Sequence, residues 1–283
     1  MTRTQRLLAL LVLVIVFVIL LPNVRNNSKV DDTRPFDLSS SNTNAEIQGH
    51  VDALCIVART YQKQYPYLLT FLLAISHNKV RPCVYLLITD TTSSVRSAKT
   101  ITESANRIVG YTMAYILPID YRHARNLSID YDTDYGYAYT DAAIAYLLEK
   151  TTCAYFLFTN GDNLYTAGFI DDYILADMIQ KIDIIAFNFV TRYISGPLPH
   201  LNDKSFDDGT RKVVQVKFEV AHIDLGAFVI RANFLRDNPN MRFVSITREL
   251  ERDWSVADGL LIVQANEIAS SRRIHRQILL IHQ

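Results

Sequence analysis

The familiar phosphate-cradling and nucleophile motifs are missing from this chain. None of its strand-like runs leads into G-x-G-x-x-G, and G-x-x-x-x-G-K-[ST], G-x-S-x-G and H-E-x-x-H do not occur. A Rossmann dinucleotide site, a P-loop, a serine-hydrolase elbow and a zincin helix are thereby excluded, because each needs those residue types at that spacing. An excess of either charge is missing too: Lys plus Arg and Asp plus Glu number 29 each, for a net charge of +0. No strong field draws the chain to nucleic acid or acidic substrates, so nucleic acid is not an expected partner. Cysteine is scarce. Cys55, Cys83 and Cys153 form no C-x-x-C pair and sit in or beside apolar runs, so buried free thiols are the expectation and one disulfide the alternative. There is no internal repeat.

What is present is a chain of 283 residues, 49% hydrophobic, which can bury one sizeable core and carry appendages. After Arg3 and Arg6 an unbroken apolar run, LLALLVLVIVFVILL from Leu7 to Leu21, ends at Pro22. As a helix it measures about 22 Å against a bilayer core of about 30 Å, so a span would draw on flanking residues or a thin membrane. A cleaved signal peptide would want small residues in an A-x-A-like pattern, and PNVRNNS offers none. The run therefore reads as an uncleaved single-pass anchor at 7–21. The arginines before it make residues 1–6 a cytoplasmic tail, although Arg25 and Lys29 weaken the asymmetry. Residues 22–49, rich in Asn, Ser, Thr and Asp, read as a flexible stem. Two N-x-S/T sequons, at Asn26 and Asn126, fit a secretory compartment.

Residues 50–283 form the expected folded domain. ALCIVA (53–58), CVYLLIT (83–89), TMAYILP (112–118), AYFLFT (154–159) and IDIIAFNFV (182–190) read as buried strands. YPYLLTFLLAISHN with Pro66 in its first turn, YTDAAIAYLLEK (139–150) and a segment near 168–180 read as helices. Strand and helix in alternation imply parallel pairing. The expected fold class is α/β, a mostly parallel, Rossmann-like central sheet flanked by helices, with ligands at the carboxyl ends of the strands.

Polar residues recur at those ends: Arg59 and Thr60 after the first strand, Asp90 after the second, and Asn160 and Asp162 in YFLFTNGDNLY after the central one. One such residue is ordinary loop chemistry, whereas repetition on one rim marks a candidate site. Arg59 pairs a phosphate or merely solvates the rim. Asp90 reads a nucleobase or forms a turn. Asp141 touches a ligand or starts a helix, the helix start being favoured. The tyrosines at 131–139 stack on a base or sugar, or simply pack, and packing is the default. His275, in the basic stretch SRRIHRQ, reads as a surface residue.

These residues resemble the GT-A glycosyltransferases, enzymes that bind a sugar nucleotide through a divalent cation at a D-x-D-bearing strand end. YFLFTNGDNLY resembles that D-x-D region, and YGYAYTDAAIAYLLE the segment before it that reaches the donor. DLGAFVIRANFL (224–235) resembles the glycine-bearing strand beside donor and acceptor. WSVADGLL (254–261) resembles the segment with the catalytic acid, and ILLIHQ (278–283) a terminal strand with a metal-binding His. The resemblance runs from about Val51 to Gln283 as a fold-level pattern, and no one motif in it is highly specific.

The resemblance implies a glycosyltransferase moving a sugar from a nucleotide donor to a glycan, protein or lipid acceptor. Asp162 and His282 would hold Mn²⁺ or Mg²⁺, and Arg59, Thr60, Asp90, Asp141, Asn160 and Gly226 would line the donor. Asp258 would serve as general base for an inverting reaction, or else act as a first-turn helix acid. Gly226 allows a close approach or marks a bulge. It also implies type II topology with the domain in the Golgi or ER lumen. Asn160 departs from the family's first Asp, leaving Asp162 as carboxylate and Asn163 as a possible amide ligand. A literal D-x-D at Asp132-Thr133-Asp134 has no preceding buried strand, and reads as a solvated loop. The alternatives are a sugar-nucleotide nucleotidyltransferase, which would want a glycine-rich loop absent from CIVARTYQKQYPY, and a catalytically silent, membrane-anchored carbohydrate-binding protein.

Overall fold

The computed structural model describes residues 54–89, 92–119, 134–191, 212–250 and 253–282. The anchor at 7–21, the stem at 22–49, Asp90, Asp132 and Thr133 lie outside them. Among the described residues no helix is long and apolar enough to cross a membrane.

Every apolar run read as a strand is one. β1 (Leu54–Thr60), β2 (Cys83–Ile88) and β3 (Ala114–Ile116) pair in parallel, and β4 (Tyr155–Asn160) lies parallel to β1 on its other side. These strands are β-branched and aromatic, which suits a layer buried on both faces. Between them run the crossover helices α1 (Tyr65–Ser76), α2 (Thr92–Val109) and α3 (Tyr137–Lys150). α1 carries Pro66 in its first turn, where no N–H is needed. The expected parallel half is therefore present.

The second half corrects the expectation of a mostly parallel sheet. β5 (Leu164–Tyr165) follows β4, and a π-helical turn at Phe169–Ile174 leads into α4 (Leu175–Ile179). Then come β6 (Ile184–Thr191), β7 (Lys212–Val214), β8 (Phe228–Arg231), α5 (Ala232–Asp237), α6 (Phe243–Glu249), α7 (Ala257–Ile268) and β9 (Arg272–Ile281). The sheet order is β3-β2-β1-β4-β8-β6-β9-β5, with β7 also on β6. β8 inserts between β4 and β6 antiparallel to both, β7 is antiparallel to β6, β5 is antiparallel to β9, and β6 and β9 run parallel. The sheet is mixed. Strand alternation in the sequence did not reveal this, because β8 arrives from far along the chain and wedges between β4 and β6.

The core spans the sheet. Phe158 sits edge-on to Phe228 and Phe243, at ring separations of 6.4 and 5.8 Å, and so ties β4 to β8 and α6. Such edge-to-face pairs add about 0.5–1.5 kcal/mol each to the burial itself. Cys55 and Cys153 form a disulfide with Cα atoms 5.7 Å apart, and Cys83 stays outside it. The expectation of free thiols is thereby corrected: β1 and β4 lie side by side, which brings the start of one beside the approach to the other within bridging distance. His275 is likewise no surface residue. Its side chain is only 17% exposed, and Nε2 lies 2.7 Å from the buried carboxylate of Asp177, which Arg273 also approaches.

Candidate active site

β1 and β4 end together, with Arg59 the register partner of Asn160. Registered neighbours in a parallel ladder point to the same face. Arg59 accordingly donates from Nε and Nη2 to the Asn160 side-chain oxygen at 3.1 and 3.0 Å. Its third bond, from Nη1, goes to the Tyr135 carbonyl at 2.9 Å, and its guanidinium lies 4.9 Å from the centroid of the Tyr137 ring. An Asp at 160 would have neutralised this arginine, whereas the amide accepts both N–H groups and leaves the positive charge at the rim. Thr60 is fully buried, and its carbonyl accepts the Thr89 N–H at 3.0 Å.

Past Asn160 the chain turns on Gly161, where a Cβ would meet Thr60 Oγ1 at 3.0 Å and Leu68 Cδ1 at 3.2 Å. Asp162 follows, half-buried, and accepts a bond from Gln64 Nε2 at 3.0 Å. Asn163, considered as an amide ligand, is fully buried and donates to Thr159 Oγ1 at 3.0 Å, so its amide faces the core.

The antiparallel pairing of Leu164 with Ile281 brings the chain carrying Asp162 alongside the chain end carrying His282. His282 Nδ1 lies 3.5 Å from Asp224 Oδ2 and 3.4 Å from Thr191 Oγ1, while its backbone N–H donates to Val190. Asp224 also accepts the Gly226 N–H at 2.8 Å, and this cap starts the 3₁₀ turn Leu225–Ala227 that enters β8. Gly226 belongs to that turn, not to a bulge. A Cβ there would meet Tyr165 Oη, Asn163 Nδ2 and Leu280 Cδ2 at 3.0–3.1 Å, so close approach is the reason for the glycine.

Asp258 stands in the first turn of α7, and its Oδ1 accepts the Gly259 N–H at 2.7 Å. Burial pushes its pKa up to about 7, and the negative charge of Asp224 adds to the rise; the Gly259 N–H and the Arg59 charge oppose it. The buried Tyr137 hydroxyl is held well above its ordinary value by burial and then by the charge of Asp258, which places the phenol and the carboxylate together. Arg59, Tyr137, Asp224 and Asp258 thus form one electrostatic cluster. A carboxyl titrating near neutrality suits proton transfer at working pH.

Asp141 does not start a helix. It lies in the second turn of α3, buried, and its two oxygens accept the Phe243 and Val244 N–H groups at 3.1 and 2.8 Å, capping α6 from outside. Burial lifts its pKa to about 7 against those two bonds and the charge of Arg242. Asp134, expected in a solvated loop, is fully buried and binds the Gly136 and Ala138 N–H groups at the start of α3. Of the tyrosines beside it, Tyr137 and Tyr139 are core, while Tyr135 is 58% exposed.

Sequence reasoning missed Asp224 and Gln64. Asp224 had a local signal, an Asp two residues before a Gly, the pattern of a side-chain-capped turn. Gln64 had none.

One carboxylate and one imidazole suit a hard divalent cation that keeps phosphate and water oxygens as its remaining ligands. Among the described residues no three His, Cys, Asp or Glu side chains converge on one point. Those residues therefore make no closed protein cage, and Asp162 and His282 stand on segments that the β5–β9 pairing brings alongside each other.

This architecture is the GT-A fold. S. aureus TarS 1–349 superposes with a TM-score of 0.51 at 12% identity, over 81% of this chain and 60% of that one. The same protein in complex with UDP-GlcNAc gives 0.51 at 12% identity, over 81% of this chain and 58% of that one. Against another crystal structure of S. aureus TarS the share of that chain falls to 36%. This chain spans less than two thirds of those proteins, and the likeness is one of fold. Comparison with protein-family models and with curated proteins found no match.

Proposed function

We propose that this chain transfers a sugar from a nucleoside-diphosphate donor to an acceptor hydroxyl with inversion. The observation that carries the reading is Asp258, a carboxyl with its pKa near 7 in one cluster with Arg59, at the strand-end rim where ligands bind in α/β sheets. The acceptor oxygen attacks the anomeric carbon as the bond from that carbon to the diphosphate oxygen breaks. The electron pair leaves with the diphosphate, and Asp258 takes the hydroxyl proton. Arg59, held by Asn160 and Tyr135, presents positive charge to the leaving diphosphate without reorganising. Asp162 and His282 would hold Mn²⁺ or Mg²⁺, which when bound acts as a Lewis acid on that diphosphate.

The Cys55–Cys153 disulfide supports placing the domain in an oxidising lumen, as the type II anchor reading requires. The test is a panel of sugar nucleotides with the full chain, with and without Mn²⁺, measuring released nucleoside diphosphate. Release with one donor is expected. Binding without release from any donor would select the silent carbohydrate-binding alternative.

A further inference from the structure

We propose that Gln64 is a positioning residue for Asp162, a buried amide whose N–H sets the direction of the carboxylate at the end of β4 for donor binding. The proposal rests on the assignment of Asp162 to the donor site. After β1 the chain folds back in a 3₁₀ turn, Gln62–Gln64, closed by the Gln64 N–H on the Tyr61 carbonyl at 2.9 Å. That turn carries the Gln64 side chain, 7% exposed, against the Gly161-Asp162 corner. The corner is pressed onto the end of β1 so closely that a Cβ on Gly161 would lie 3.0 Å from Thr60 Oγ1. Asp162 therefore leaves the sheet from a fixed point, and its remaining freedom is side-chain rotation.

The 3.0 Å contact between the Gln64 amide and Asp162 Oδ1 removes that freedom. Only the NH₂ end of an amide can face a carboxylate oxygen, so the orientation follows from the chemistry. It leaves Oε1 pointing the other way, and among the described residues this oxygen is buried with no hydrogen-bond partner. A glutamine placed to stabilise the fold would have both ends satisfied. Here half of the amide is left unsatisfied while the other half holds a candidate ligand. Outer residues of this kind commonly tune metal affinity by about 10–100-fold.

The test uses the full chain with UDP and GDP as probes, titrated calorimetrically with Mn²⁺ and with chelator, alongside thermal melting. Gln64→Met keeps the length and removes both the N–H and the unsatisfied oxygen. It should lower Mn²⁺-dependent diphosphate affinity by about tenfold or more while melting at or above the wild-type temperature. Unchanged affinity in Gln64→Met, when Asp162→Ala has lost it, overturns the proposal. If Gln64→Met melts too early to assay, Gln64→Glu replaces it, with the same shape but an acceptor facing Asp162, and unchanged affinity there overturns the proposal equally. Retained Mn²⁺-dependent binding in Asp162→Ala, or no binding of either probe by the unaltered chain, refutes the donor-site reading and this proposal with it.

Discussion

Replacing Asp258 with Asn separates catalysis from stability, because the two should move in opposite directions. In the folded chain the pKa of this carboxyl rises from 3.8 to about 7, with burial the main cause and Asp224 the next. Between those values the native state holds a proton that the unfolded chain has released. Stability therefore falls as pH climbs through the window, and the loss is complete above it. At about 1.4 kcal/mol per pH unit, the cost of ionised Asp258 at pH 8 is at most roughly 4 kcal/mol. Asn keeps an oxygen for the Gly259 N–H and takes the charge away. The variant should melt several degrees higher than wild type at pH 8, at about 2–4 °C per kcal/mol for a domain of this size, and show no such gain at pH 4. Asp141 titrates in the same window but is common to both proteins, so it cancels in the comparison. Transfer at pH 8 should fall by about 10² to 10⁴, the scale of a lost general base. For wild type, activity should rise about tenfold per pH unit below 7 and level off above it. Near wild-type transfer by Asp258→Asn, or a melting shift equal at both pH values, would refute the assignment.

Asp141→Asn turns one of two acceptors into a donor facing an α6 N–H, and should cost about 1–3 kcal/mol by denaturant unfolding while leaving nucleoside-diphosphate affinity unchanged. A fall in affinity with intact stability would return Asp141 to the donor site. Reducing the disulfide, or Cys55→Ser, opens a link across 98 residues of sequence and should cost about 2–5 kcal/mol. Equal melting of oxidised and reduced protein would contradict this.

The alternation of apolar runs with amphipathic ones was enough to place β1, β2, β4, β6 and the helices α1 and α3, though not α2, because strands buried on both faces leave continuous hydrophobic stretches. Polar residues at their ends were enough to mark Arg59, Asn160 and Asp162 on one rim. The sequence had no means of showing that β8 runs antiparallel between β4 and β6, since that depends on a pairing across some 70 residues of chain. Roles that depend on contact were equally out of reach. Asp141 looked like a helix start until α6 was seen resting its N–H groups on it. Cys55 and Cys153 looked like two core thiols until the β1–β4 pairing set them side by side. Gln64 and Asp224 carried little or no local signal, because a residue that orients another is defined by where the other one lies. Local periodicity determined which segments became strands and helices, and only tertiary packing decided which carboxylates stay solvated, which cap a helix, and which is desolvated beside a second charge until it titrates near neutrality.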